Sequence, residues 1–316
     1  MMRSRTLGMV VVFLSLLSAA GPAPAQLTTM KVGHNSFTDE SVLYLGRDAG
    51  LFKKHGIHLE LIFIPGGSLS MQALIGNSLD LLLSGGTPFV YARLKGADLK
   101  IIAGLVNKMP YAFVARENIN SAEQLKGKRI GISRFGSNTD FVVKLALTEM
   151  GLQPKRDVQI VQAGGSDARM VALKTGAIDA TVLTPELAMI THKFGSRTML
   201  DFVEKGMEYQ HIALMGRSDY LKSHNELVKR FMRAYIESIQ YYLTHRDEAI
   251  KKGLELIKSD DRQVGEFSYD YRVKILPKDG KPTVKGMQLV LDAAAEDDPK
   301  ARSLDVQQLF DLSFFP

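Results

Sequence analysis

Cysteine is absent from all 316 residues of this chain, and this absence excludes several kinds of protein. No disulfide can form, so the stability of the fold must come from its hydrophobic cores. Lipoproteins that are acylated on a cysteine are excluded as well. The sequence also lacks a His-x-x-x-His pattern, so we expect no metal site and no cofactor.

Long apolar runs are scarce. The run at residues 7–17 is preceded by basic residues and followed, at residues 23–25, by a small-x-small cleavage pattern. It is much shorter than the ~20 apolar residues that span a bilayer. We therefore predict a cleaved signal peptide over residues 1–25, with a membrane anchor as the alternative. No later stretch is long enough to span a membrane, so we expect an exported, soluble, periplasmic protein.

Clusters of charge of one sign are also few. The net charge is +6 at pH 7, and the basic residues are scattered along the chain. No basic stripe with interleaved aromatic residues is present, so nucleic acid is not an expected partner. The modest positive balance is compatible with a preference for anionic ligands.

The apolar pattern alternates between short strands and helices. Residues 59–64, 80–84 and 129–133 are short apolar runs typical of strands, and helical periodicity follows each of them. A long helix with one apolar face is predicted near residues 228–242. This alternation predicts an α/β protein with mostly parallel sheets, whose ligands bind beyond the carboxyl ends of the strands.

One sequence pattern occurs twice, about a hundred residues apart. Each copy has a Gly-Gly-Ser loop, a Met-x-Ala-Leu segment, an Asp and a Thr-Pro pair, and the Asp lies nine positions after the Met in both. The copies begin at Gly66 and Gly164. Two similar units that face each other would form a cleft lined by small residues. Chance similarity between two ordinary α/β units is the alternative.

Several motifs together resemble one family. Residues 50–57 read Gly-Leu-Phe-Lys-Lys-His-Gly-Ile, and a Gly-Gly-Ser loop follows at 66–68. Further matches lie at 125–132, 136–140 and 176–180. Their order and spacing resemble the sulfonate/nitrate/thiamine-precursor group of periplasmic solute-binding proteins, over essentially all of residues 27–316.

The resemblance implies a type II periplasmic-binding fold, with two α/β lobes joined by two crossover strands and a ligand cleft between them. Lobe 1 would comprise residues 27–112 and 214–316, and lobe 2 residues 113–213. It also implies a monomeric receptor that passes a small molecule to an ABC permease in the inner membrane.

Loops of small polar residues supply the candidate ligand contacts, because helix N-termini present free backbone N–H groups. For each loop taken alone, ordinary helix capping is the alternative. Arg134 could clamp a carboxylate, with a solvated arginine at the rim of the cleft as the alternative, and Phe37 could stack on a flat ligand, with a core position as the alternative. For His211 the alternative is a structural histidine. The predicted ligand-binding residues are Asn35, Ser36, Phe37, Gly66, Gly67, Ser68, Gly86, Thr87, Arg134, Gly136, Ser137, Asn138, Thr184 and His211. Asp140 and Glu186 would pair with a ligand amine, or else serve as acids in the first turn of a helix.

The expected function is capture of a small organic or inorganic anion, such as a sulfonate, nitrate or an aromatic carboxylate, without catalysis. Three alternatives stay open: binding of a pyrimidine or thiamine precursor, an enzyme on the same fold, and a periplasmic sensory subunit. The signal peptide argues against the enzymes. Neither a Gly-x-Ser-x-Gly nor a P-loop motif occurs in the sequence.

Overall fold

The computed structural model describes residues 27–316, and the predicted signal peptide lies outside these residues. Strands and helices alternate over this part of the chain, as expected. The strands are β1 (Thr28–His34), β2 (Ile57–Phe63), β3 (Leu81–Ser84), β4 (Leu99–Lys108), β5 (Ala112–Arg116), β6 (Arg129–Ile132), β7 (Gln159–Gln162), β8 (Ala180–Leu183), β9 (Ser196–Asp201) and β10 (Glu208–Arg217). The helices are α1 (Ser41–Asp48), α2 (Leu51–Lys54), α3 (Gly67–Ile75), α4 (Gly86–Leu94), α5 (Asn138–Glu149), α6 (Ser166–Thr175), α7 (Pro185–His192), α8 (Ser218–Ser223), α9 (Asn225–Thr244), α10 (Arg246–Leu256), α11 (Arg262–Ile275) and α12 (Val284–Asp297).

Two sheets of five strands share one topology. The first has the order β2-β1-β3-β10-β4 and the second the order β7-β6-β8-β5-β9. In each, four strands run in the same direction, and one returning strand, β10 or β5, pairs antiparallel with both of its neighbours. Both copies of the sequence repeat therefore fold into equivalent strand, helix and strand units. The mixed sheets confirm the predicted α/β class.

Two short connections join the sheets. The chain leaves the first sheet at Lys108 and enters the second at Ala112, and it returns between Asp201 and Glu208. Gln210 joins the two strand ends next to these connections, because its side-chain amide donates to Asn107 Oδ1 at 3.1 Å. Its carbonyl oxygen accepts from the Thr283 N–H at 2.8 Å, just before α12.

The predicted lobe boundaries stay a prediction, but the sheets bear on them. The boundary at residues 112–113 falls at the start of β5. The boundary at 213–214 falls inside β10, which pairs only with strands of the first sheet.

Burial follows the predicted patterns. All four residues of β3 are buried because helices cover both faces of the first sheet. Helix α9 buries one apolar face, as its spacing predicts, through Val228, Phe231, Tyr235, Ile239 and Tyr242. Helices α10 and α11 were not predicted from the sequence.

Within residues 27–316, no helix combines the length and apolar character needed to cross a bilayer.

Candidate functional site

A small cavity of about 50 Å³ lies between the carboxyl ends of the two sheets. It has room for a few water-sized groups, which suits a compact ligand head. Loops from both sheets line it. Eight of its lining residues were predicted from the sequence: Asn35, Ser36, Gly66, Gly67, Ser137, Asn138, Thr184 and His211. Seven were not among the predicted ligand contacts: Gly85, Tyr111, Ser133, Thr139, Gly165, Ser166 and Arg169. Of these, Gly165 and Ser166 belong to the second Gly-Gly-Ser loop of the repeat.

Five helices begin at this cavity. The residues that precede α3, α4, α5, α6 and α7 all line it, and these are Gly66, Gly85, Ser137, Gly165 and Thr184. The first N–H groups of a helix lack intrahelical partners and carry partial positive charge. Several such ends that converge on one cavity favour a bound anion.

A close contact between the sheets depends on Gly85. Asn138, at the start of α5, donates from its amide to His211 O at 2.7 Å and faces His211 Nδ1 at 3.1 Å. Its amide lies directly against Gly85, where an added Cβ would stand 1.9 Å from Asn138 Oδ1. Glycine therefore permits a side chain of the second sheet to bind β10 of the first.

A buried ionic cluster lies next to the cavity. Asp39 accepts from His211 Nε2 at 3.1 Å and from Arg272 Nη1 at 2.9 Å, and all three side chains are almost fully buried. Burial by itself would raise the pKa of Asp39, but His211 and Arg272 outweigh it and hold this pKa well below its usual range. The cluster fixes the His211 ring that lines the cavity.

Glu186 and Asp140 lie outside the cavity lining. Glu186 is fully buried 3.6 Å from Arg272 Nη2, and burial raises its pKa although Arg272 opposes the shift. Asp140 accepts from the Gly136 N–H at 2.9 Å and from Lys144 at 3.2 Å. Both are first-turn acids of a helix, which was the alternative interpretation for each.

Arg169 is the one charged side chain that the sequence analysis overlooked in the cavity lining. It projects from α6, is 3% exposed, and donates to Val182 O at 2.6 Å and to Ser166 Oγ at 3.1 Å. Among residues 27–316, no carboxylate lies within ion-pair distance of it. Burial lowers its pKa to about 10. The repeat contained a signal, since Arg169 precedes Met170 where the first copy has Ser70 before Met71.

Six predicted residues do not line the cavity. Phe37 stacks on Phe63 with ring centroids 4.3 Å apart. Arg134 is exposed, and a Cβ added at Gly66 would stand 3.6 Å from its Cδ. Gly136 donates its backbone N–H to Asp140.

The other three are Ser68, Gly86 and Thr87. Ser68 donates to Phe135 O at 2.9 Å, which links the two sheets beside the cavity. Helix α4 begins two residues earlier, relative to its Thr-Pro pair, than α7 does. Gly85 therefore takes the position that Thr184 has in the second copy, and Thr87 turns inward to bond Tyr209 Oη at 2.9 Å. Gly86 packs against Met287.

A second, larger cavity of about 530 Å³ lies between α5 and α12. Asp297 of α12 pairs across it with Lys155 at 3.1 Å and with Lys144 at 3.6 Å. Within residues 27–316, no group of three or more His, Cys, Asp or Glu residues could hold a metal ion.

Comparison with known proteins agrees with this architecture. A family profile described as NMT1/THI5 like matches residues 37–249, more than half of the chain. The chain belongs to the NMT1/THI5-like family. YtlA of Bacillus subtilis (strain 168), named as a binding protein, is 25% identical over 253 residues, which cover 77% of this chain and 75% of YtlA.

Two further relatives carry ligand names. A Bacillus subtilis protein whose name assigns it to aliphatic sulfonates is 26% identical over 268 residues, covering 83% of this chain and 79% of that protein. The alkanesulfonate-binding protein SsuA from Xanthomonas axonopodis pv. citri, solved with MOPS bound, superposes with a TM-score of 0.74 at 19% identity. The superposition covers 91% of this chain and 99% of SsuA and confirms the periplasmic-binding-protein fold.

Proposed function

We propose that this protein is a periplasmic solute-binding protein that captures a small anion between its two sheets. It would pass the anion to an ABC-type permease in the inner membrane and act as a monomer. The observation that carries this proposal is the cavity itself, where five helix N-termini converge and no carboxylate side chain lines the wall. Partial positive charges and neutral donors in that number suit an oxyanion.

The family and the relatives support the class of ligand. Two relatives are named for sulfonates, and a sulfonate head is compact enough for a cavity of about 50 Å³. Nitrate and small carboxylates meet the same requirements of size and charge. Sulfonates are therefore the first probes to test, with nitrate and carboxylates beside them.

Closure of two lobes over the ligand is part of the proposal. The lobes would be those expected from the sequence, with β10 assigned to lobe 1. The hydrogen bonds from Asn138 to His211 and from Ser68 to Phe135 O join the sheets on either side of the cavity. Closure of this kind is a common domain motion around ligands.

No catalytic step is proposed. The imidazole in the cavity wall, His211, is held by Asp39 on one nitrogen and faces Asn138 with the other. Both ring nitrogens therefore already have partners, which supports a positioning role in place of proton transfer.

A thermal-shift experiment on residues 26–316 tests the proposal, after unfolding and refolding to remove bound ligand. The probes are sodium methanesulfonate, taurine, sodium nitrate and sodium benzoate. A ligand at a hundred times its Kd adds about 2.7 kcal/mol of stability, which raises the Tm by several degrees. We expect a clear rise with at least one anion, recovered unchanged afterwards. No rise with any probe, or chemical conversion of one, would contradict the proposal.

A further inference from the structure

Two fully buried arginines in this protein have different electrostatic surroundings. Arg272 is 1% exposed and pairs with Asp39 at 2.9 Å, with Glu186 nearby. Arg169 is 3% exposed, and among residues 27–316 it has hydroxyl and carbonyl partners only. A buried charge without a counter-ion is strongly unfavourable, so proteins normally pair it. Arg169 therefore lacks a partner that Arg272 has.

The position of Arg169 indicates where that partner belongs. The side chain lines the cavity between the sheets, beside Ser166 and Thr184. Its Nε has no hydrogen-bond partner among the described residues. The three bonds it does make, to Ser166, Thr181 and Val182, hold the guanidinium in place without neutralising it. Asp167, an exposed carboxylate two residues away, attracts this charge from beyond ion-pair distance.

We propose that the negative charge of the bound ligand is the counter-ion of Arg169, so that this residue selects anions over neutral molecules of the same shape. This inference rests on the proposed function and specifies the charge requirement of the same site. A guanidinium matches the geometry of sulfonate, nitrate and carboxylate oxygens better than an ammonium does. Arg169 thus contributes both charge and orientation.

The difference between the two repeat copies also predicts the orientation of the ligand in the cavity. The first copy has Ser70 where the second has Arg169, and Asn35 donates to Ser70 Oγ at 3.3 Å and to Ser84 Oγ at 2.8 Å. The part of the first-sheet side formed by Asn35 and the first repeat copy is therefore neutral and polar. The anionic group should face α6, and the remainder of the ligand should face Asn35 and Ser36.

The test compares a charged probe with a neutral molecule of similar shape. Sodium methanesulfonate and dimethyl sulfone are titrated calorimetrically into wild-type protein, Arg169→Gln and Arg169→Lys, all as residues 26–316. We expect wild type to bind only the anion. Arg169→Gln should bind it at least tenfold more weakly. Arg169→Lys should recover part of the lost affinity, because lysine restores the positive charge but lacks the planar set of N–H donors of a guanidinium.

A second measurement separates charge selection from a merely structural role. The Tm of each ligand-free variant is compared with that of Arg272→Gln, the matched buried arginine. We expect Arg169→Gln to melt at or above the wild-type temperature, because an unneutralised charge is removed, and Arg272→Gln to melt well below it.

The outcomes distinguish this inference from the function on which it rests. Equal affinity of Arg169→Gln and wild type for methanesulfonate overturns the role of Arg169 and leaves anion binding intact. Equal binding of dimethyl sulfone overturns the charge requirement and leaves solute binding intact. A large fall in Tm for ligand-free Arg169→Gln identifies a structural arginine and also overturns the inference. If the wild type binds no anion of the thermal-shift panel, the proposed function fails and this inference fails with it.

Discussion

Replacement of Gly85 by alanine should prevent closure around the ligand. The backbone at Gly85 has φ −77° and ψ 156°, which any residue adopts, so the change introduces no local strain. The new methyl group would stand 1.9 Å from Asn138 Oδ1 and 2.3 Å from its Cγ. Because ordinary contact begins near 3.4 Å, Asn138 must retreat by about 1.5 Å.

The cost follows from the bonds that Asn138 would lose. Its amide donates to His211 O at 2.7 Å and faces His211 Nδ1 at 3.1 Å, and a retreat of this size breaks both contacts. Leaving buried polar groups unpaired costs about 1 to 3 kcal/mol each, so the loss of both contacts costs the closed form about 2 to 6 kcal/mol. That loss corresponds to a roughly 30- to 20,000-fold weaker affinity.

Gly165→Ala is the matched control. Gly165 also precedes a helix and also lines the cavity, but a Cβ there meets only Pro65 Cβ at 3.5 Å. Affinity for methanesulfonate is measured by calorimetry, and contraction on binding by small-angle X-ray scattering. We expect Gly165→Ala to bind and contract like wild type, and Gly85→Ala to do neither. Affinity of Gly85→Ala within threefold of the control would refute the role of the Asn138–His211 contact in closure.

Three further predictions concern stability and the rim between the sheets. Burial lowers the pKa of His34 from 6.5 to about 4. As the pH drops, the imidazole of the unfolded chain is therefore protonated before that of the folded protein. The unfolding free energy should fall by about 3 kcal/mol between pH 6.5 and pH 4. Denaturant titrations should show this fall in wild type and its loss in His34→Gln; an unchanged slope would contradict the buried neutral imidazole. Asp297→Asn removes the partly exposed ion pairs that join α12 to Lys144 and Lys155, which should help to hold the closed form together. It should therefore weaken anion binding about threefold at low salt and not at 1 M salt, whereas Glu296→Gln should leave binding unchanged. Asp39→Asn should lower the unfolding free energy by about 3 to 5 kcal/mol because it leaves Arg272 poorly neutralised, and a loss below 1 kcal/mol would argue against the buried pair.

Much of the fold could be predicted because its signals are local. The hydrophobic periodicity of a strand or a helix can be recognised within five to twenty residues. The repeat indicated that two similar units share one arrangement. The loops at Gly66 and Asn138 were found for the same reason, since small residues before a helix mark its N-terminus. These loops do line one cavity.

The remainder of the site depends on contacts that sequence spacing does not encode. The pair of Asp39 and Arg272 joins residues 233 positions apart, and its helix α11 was not predicted. The two-residue shift at the start of α4 exchanged Gly85 for Thr87, because the Thr-Pro pair was taken as equivalent in both copies. Arg169 has the spacing of an ordinary helical surface residue, and only its burial against Val182 reveals its place in the cavity.

The bracing of the two connections by Gln210 has a thermodynamic consequence for the open protein. Gln210 fastens the end of β4, the start of β10 and the segment before α12 to one another, which should restrain how the two connections bend. If the lobes close as proposed, this restraint favours rotation about a single axis, and the open form would sample a narrow family of geometries. Less conformational entropy is lost when such a narrow ensemble closes, so more of the interaction energy with the solute remains as affinity.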